Sequence, residues 1–402
     1  MRELAAALVV SPATVATAYR TLKQRGFVVG ERARGTTVAP LPPVRVKRVA
    51  APRPGVRDLA SGNPDPQLLP SLAGVFKRLD PTHKLYGVAP KLPELVDLAE
   101  DDFAADAIRG DIAVTGGALD AIERALQTEL RLGDRVVVED PSWPRIADLV
   151  HALGFVVEPV PVDGRGLNPD ALDAALAAGA RAVIATPRGQ NPTAAAVDVP
   201  RGGDLRAVVA DHPDVLMIED DYVSRVAGAR YVPLHNSSGR WVVVRSLSKW
   251  LGPDLRVALV AGDELTVSRI EGRQRLGPGW VSHLLQQVAT LLLRDRATAS
   301  LLERAERTYA ERRAVLVEAL ATHGIGAAGD SGLGVWVPLV DEAAAVRELL
   351  GQRWAVAPGE RYRFRTPPGL RITTAALEPA DGERLADAIA DLAAGAVATY
   401  QG

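Results

Sequence analysis

Ser246, Ser248, Lys249 and Arg256 are spaced to hold a ligand that carries both an aldehyde and a phosphate. They follow an apolar run at 241–245, in the order SLSKWLGPDLR. The lysine amine can form an imine, while two hydroxyls and a guanidinium suit a phosphate dianion. A lysine after a strand is commonly no more than a surface group, so this reading needs partners elsewhere. They occur upstream. Asp220 and Tyr222, within EDDY at 219–222, end another apolar run, where α/β sheets place their ligands. A carboxylate there can pair with a protonated pyridine nitrogen, and a phenol with a ring oxygen. Asn191, within TPRGQNPT at 186–193, is a second donor to that oxygen. Thr115-Gly116-Gly117 opens a helix whose first N–H groups, at Ala118 and Leu119, would face an anion. Trp143, after the Glu139-Asp140-Pro141 run, can stack on a ring.

Apolar runs at 135–139, 155–159, 182–185, 215–219, 241–245 and 257–261 alternate with Ala/Leu-rich helical stretches. This predicts a mostly parallel sheet with helices on both faces. Beyond about residue 292, a helix rich in Arg and Glu leads into predicted strands at 334–338, 361–365 and 370–372, a smaller α+β part. The large part is expected over about 80–292 and the small one over about 293–402, within a unit spanning 58–402.

Residues 1–50 hold nine Lys/Arg against two acidic residues, a net +7 that leaves the remaining chain at −9. A basic head on an acidic body suits a phosphate-binding module joined to a separately working domain. Residues 2–8 read as a helix and Ser11-Pro12 as the start of a second. Val15, Ala18, Tyr19 and Leu22 form its apolar face. Gly26 ends it, and β-prone pieces at 27–29 and 36–38 flank a basic tip. Helix, turn, helix and wing make a winged helix-turn-helix over residues 1–39. Ser11, Ala13, Thr14, Thr17 and Arg20 would face the groove of double-stranded DNA, with Arg32, Arg34 and Thr36 on backbone phosphates. Five prolines and five arginines and lysines mark 40–57 as an extended basic linker.

The chain has 402 residues and no cysteine, and its six histidines lack ligand spacing, so metal chemistry is not expected. No apolar run of membrane-spanning length or signal pattern occurs, which places the expected site of action in the cytoplasm.

With these motifs in hand, the chain resembles the MocR-type regulators, in which a GntR-like winged helix is fused to a class I aminotransferase-like body. The resemblance rests on residues 2–30, LYGVAP at 85–90, EDP at 139–141, TPRGQNPT, IEDDY at 218–222 and SLSKWLGPDLR at 246–256. LASGNPDPQLLP at 59–70 is similar to regulators of vitamin B6 metabolism. The resemblance implies an α/β fold: a truncated winged helix-turn-helix, then a fold-type-I transferase dependent on pyridoxal 5′-phosphate (PLP). It implies a Schiff base on Lys249, Asp220 on the pyridine nitrogen, and Tyr222 and Asn191 on the 3′ oxygen. Ser246, Ser248, Arg256 and the backbone of Ala118 and Leu119 would hold the phosphate, and Trp143 would stack on the ring. Tyr86 would reach the phosphate of a neighbouring subunit in a homodimer. Arg371, within GLR at 369–371, would grip the carboxylate of an amino-acid effector.

Four departures from the family pattern stand out, one of them Trp143, where Tyr or Phe is commoner at the ring-stacking position. The family's first helix has no counterpart before Met1, Ala118 and Leu119 replace polar side chains, and Ala194 replaces a glycine. The expected function is a PLP-dependent DNA-binding regulator that senses PLP, an amino acid or an amine. The alternative is a working aminotransferase that moves an amino group between an amino acid and a 2-oxo acid.

Overall fold

The computed structural model describes residues 2–24, 28–31, 35–38 and 54–400. The main sheet takes the strands in the order Asp111–Thr115, Ala258–Gly262, Arg240–Ser246, Leu216–Asp220, Ala180–Ala185, Arg135–Asp140, Val156–Asp163, Gly166–Leu167. From Arg240–Ser246 to Val156–Asp163 the five neighbours run parallel. Ala258–Gly262 is antiparallel to both strands beside it. The central strands are buried on both faces, which is why they read as continuous apolar runs. Val183, Met217 and Val243 enter one core, while Ala182, Ile184, Leu216, Ile218 and Val242 enter the other.

The smaller part has its own core around Leu316, Val335, Leu349, Leu370, Ile372 and Leu385. Gly334–Pro338, Gly369–Thr373 and Ala357–Pro358 form its antiparallel sheet, and helices Arg296–Thr322 and Pro379–Tyr400 pack together over it. Leu59 belongs to this core, and Arg57–Asp58 pairs with Trp354–Ala355. The stretch that opens the body in sequence is therefore built into its C-terminal part.

One predicted strand fails. Residues 361–365 are not a strand: Gly359–Arg361 is a short 3-10 turn. The N–H groups of Phe364, Arg365 and Thr366 instead donate to the Asp140 carboxylate, at 2.9, 2.8 and 3.2 Å. Backbone donors met by a side chain have no need of a ladder.

In the head, helices Arg2–Ala7 and Pro12–Gln24 precede a hairpin of Val28–Glu31 with Gly35–Val38. Ser11 caps the second helix, its Oγ accepting from Thr14 N at 3.1 Å. Val15 is buried and Tyr19 partly so, but Ala18 and Leu22, expected on the apolar face, are exposed. Arg32, Arg34 and residues 40–53 of the predicted linker lie outside the described residues. No helix among the described residues is long and apolar enough to cross a membrane.

Candidate functional site

Asp140, Asp220 and Ser246 end parallel strands of the main sheet, and Thr186 follows the end of Ala180–Ala185, which lies between the strands of Asp140 and Asp220. These carboxyl ends open on a cavity of about 500 Å³. Its lining includes Ala118, Leu119, Trp143, Asn191, Asp220, Tyr222, Ser246, Ser248, Lys249, Arg256 and Arg371. These eleven residues span more than 250 positions of sequence. Tyr86 lies elsewhere, 94% exposed, with its ring edge-on to Trp280 at 5.8 Å between centroids.

Lys249 Nζ donates to Gly62 O at 2.5 Å. Burial, and then the Arg371 guanidinium, push its pKa down to about 8 against the opposing pull of Asp220. Asp220 is pushed up to about 7 by burial and by the neighbouring Asp221 and Glu139 carboxylates. Its Oδ1 is buried without a hydrogen-bond partner, as is Asn191 Oδ1. Unpaired buried acceptors are costly, and the Asp220 oxygen suits a ligand that brings an N–H donor.

Successive side chains on a strand point to opposite faces, so Asp221 serves a different purpose from Asp220. Burial opposes charge at Asp221, yet Arg188 and Arg245 hold its carboxyl below the usual carboxylate range. Arg188 grips it through two hydrogen bonds of 2.8 Å, and Arg245 Nε through one of 2.9 Å. Arg245 also binds Asp102 at 2.8 Å and pairs with Asp106. This buried cluster ties the strand ends that carry Asp220 and Ser246 to helix Pro93–Ala104. Sequence reading passed over Arg245, although a charge inside the apolar run WVVVRS must find partners.

Glu139 was also missed as a lining residue. Its carboxylate accepts from Thr186 N at 2.9 Å and from Gln190 Nε2 at 3.0 Å. Gln190 Oε1 in turn accepts from Thr193 N at 2.9 Å, which sets the turn bearing Asn191. Burial pushes Glu139 up to about 7. Ala194, in the glycine position, adopts φ 59. The Tyr222 hydroxyl donates to Gly189 O at 2.7 Å, and burial raises its pKa.

At the other end of the cavity, Ser246 Oγ and Ser248 Oγ share a hydrogen bond of 2.8 Å. Helix Ala118–Glu129 starts at Gly117 without a side-chain cap, leaving its first N–H groups free for an anion. Arg256 Nη2 donates to Gly116 O at 3.2 Å. Gly117 has φ +115, and a Cβ there would stand 2.4 Å from Arg256 Nη2. Arg371, also lining the cavity and buried, donates to Ala60 O at 3.1 Å and Thr373 Oγ1 at 2.8 Å.

The family described as aminotransferase class I and II matches residues 56–389. Over 390 residues, 96% of this chain and 91% of the other, it is 38% identical to the vitamin B6 salvage pathway transcriptional repressor PtsJ of Salmonella typhimurium. It is 28% identical to the HTH-type pyridoxine biosynthesis transcriptional regulator PdxR of Corynebacterium glutamicum, over 79% of this chain and 73% of that one. In structure it is similar to a multiple substrate aminotransferase from Thermococcus profundus, with a TM-score of 0.78 at 18% identity, covering 85% and 92% of the two chains.

Proposed function

The chain belongs to the class I and II aminotransferase family and, by its likeness to a repressor along nearly its whole length, to the MocR-type regulators; from that premise we propose a PLP-dependent, DNA-binding transcriptional regulator. One observation carries the reading. Lys249, Asp220, Asn191 and Arg256 line a single cavity, with an unpartnered carboxylate oxygen on Asp220. PLP, when bound, supplies an aldehyde that condenses with primary amines. Lys249 is the amine that meets it. Asp220 faces the pyridine nitrogen, whose N–H is the donor its Oδ1 lacks. Asn191 meets the 3′ oxygen. Tyr222 has its proton committed to Gly189 O, so it serves there as an acceptor or after turning. Arg256, Ser246, Ser248 and the N–H groups of Ala118 and Leu119 hold the phosphate, and Trp143 covers the ring. Arg371 receives the carboxylate of an amino-acid effector.

Gly117→Ala tests the phosphate end. A positive-φ alanine that displaces Arg256 is expected to lower stability by about 1–3 kcal/mol and PLP affinity by about tenfold. Urea midpoints and absorbance titration measure the two.

The head supplies exposed Ser11, Ala13, Thr14, Thr17 and Thr36 for DNA. Arg20 lies in the same helix. The exposed Leu85, Tyr86 and Leu276 support a homodimer that covers them, and there Tyr86 would approach the neighbouring site. The test is a mobility shift with DNA from upstream of its own gene, at several salt concentrations, with and without PLP. A sequence-dependent, salt-sensitive shift altered by PLP is expected. Absence of any such shift overturns the reading.

A second reading, transamination, is favoured by a lysine amine of depressed pKa in the same cavity as Arg371. Release of a 2-oxo acid from amino acids by the PLP-loaded protein would support it.

A further inference from the structure

We propose that residues 57–63 carry the state of the cavity to the head. This inference rests on the regulator reading and names how such regulation is wired. The segment is the stretch of body next to the basic linker, and it is also a wall of the site, since Gly62 and Asn63 line the cavity.

Its backbone oxygens are held one after another. Leu59 O accepts from Thr373 N at 2.8 Å, Ala60 O from Arg371 Nη1 at 3.1 Å, Ser61 O from Thr373 Oγ1, and Gly62 O from Lys249 Nζ at 2.5 Å. Toward the linker, Arg57 N donates to Arg353 O at 2.9 Å and Leu59 N to Ala355 O at 2.8 Å. Toward the body, Asp65 is fixed by Tyr309, whose hydroxyl accepts from Asp65 N at 3.1 Å, and by Arg312 at 2.8 Å. The segment is thus anchored at both ends, and two of its middle oxygens depend on Arg371 and Lys249.

Those are the two cations that a bound ligand engages. Were an aldehyde carbon to bond to Nζ, the aldehyde oxygen would leave as water with two of the amine's hydrogens, and the nitrogen would keep at most one N–H to offer Gly62 O. Gly62 O then loses a donor. A carboxylate on Arg371 competes with Ala60 O for the guanidinium. A Cβ on Gly62 would already stand 3.2 Å from Arg371 Nη2, so a shift of that side chain reaches the segment directly. Occupancy therefore removes donors from two carbonyls of the segment, Ala60 O and Gly62 O. The segment must re-pair them by moving, and its linker end moves with it.

Asp58 gives a handle outside the ligand machinery. Its side chain is exposed, and its Oδ1 accepts from Ala60 N at 3.0 Å and Ser61 N at 2.9 Å, which shapes the turn. The experiment uses the full chain, PLP as the probe and labelled DNA from upstream of its own gene. It reads PLP binding by absorbance, DNA affinity by anisotropy, and amide hydrogen exchange over residues 57–63. In the wild type, PLP should alter exchange in this segment and change DNA affinity by about fivefold or more. Asp58→Ala should bind PLP with the wild-type spectrum and titration while the PLP-dependent change in DNA affinity falls below about twofold. Asp58→Asn, which keeps the Oδ1 acceptor, should retain it. A wild-type response in Asp58→Ala overturns the proposal, as does wild-type exchange over 57–63 that PLP leaves unchanged. Failure of the wild type to bind any DNA sinks the regulator reading and the head end of this route, while the exchange data separately decide its site end.

Discussion

Lys249→Ala is expected to abolish the visible absorption that PLP acquires on bonding to a lysine amine, and dialysis should then strip the cofactor from the protein. Among the described residues Lys249 is the only lysine lining the cavity, so no described neighbour can take over. Its amine is suited to the bond because burial and Arg371 bring its pKa down to about 8, which leaves a useful fraction neutral near pH 7. Lys249→Arg keeps a cation beside Asp220 and Gly62 but has no amine to condense, so it should fail equally. Comparing the two separates bond formation from charge. A visible band that survives in either variant would show that another group holds the aldehyde. Folding should survive both substitutions, since Nζ makes a single hydrogen bond, to Gly62 O.

Asp220→Asn should stabilise the cofactor-free protein above pH 7 while weakening its hold on PLP. The sign follows from the raised pKa. A carboxyl moved by folding from 3.8 to about 7 keeps a proton that the unfolded chain has already lost, so stability falls as pH rises through that window. The full shift corresponds to on the order of 4 kcal/mol, and the nearby Glu139 titrates over the same range, so the two contributions do not add. An amide at 220 removes the ionisation. The variant should exceed the wild type by on the order of 3 kcal/mol at pH 8, with the difference vanishing toward pH 4. Urea midpoints at pH 5 and pH 8 read this directly. An amide also cannot balance a protonated pyridine nitrogen, so the PLP titration should weaken in parallel. Equal stability at both pH values, or unchanged PLP affinity, would remove Asp220 from the role assigned to it. Such a site trades stability for binding.

Much of this arrangement is legible in the sequence. Strands buried on both faces must be apolar throughout, so six of the eight strands of the main sheet stand out as runs, and parallel strands put their ligand-facing residues at their carboxyl ends. That is why Asp220, Ser246 and Lys249 could be picked from linear spacing. The strand Asp111–Thr115, which opens on a charged residue, does not stand out as a run, and residues 361–365 look like a strand until Asp140 takes the amides of Phe364 and Arg365. Local patterns report what a residue prefers, and distant partners decide which preference is met.

Sequence by itself determined the cofactor-type constellation around Lys249, the sheet that carries it and the basic, helical head. Tertiary structure alone decided which carboxylates stay unpaired. Asp220 and Asp221 are identical and adjacent, yet strand alternation and two distant arginines leave one facing the cavity and neutralise the other. It also decided that residues 57–63 lie against both Lys249 and Arg371. Backbone carbonyls carry no sequence signature, so only the folded chain reveals which donors they hold.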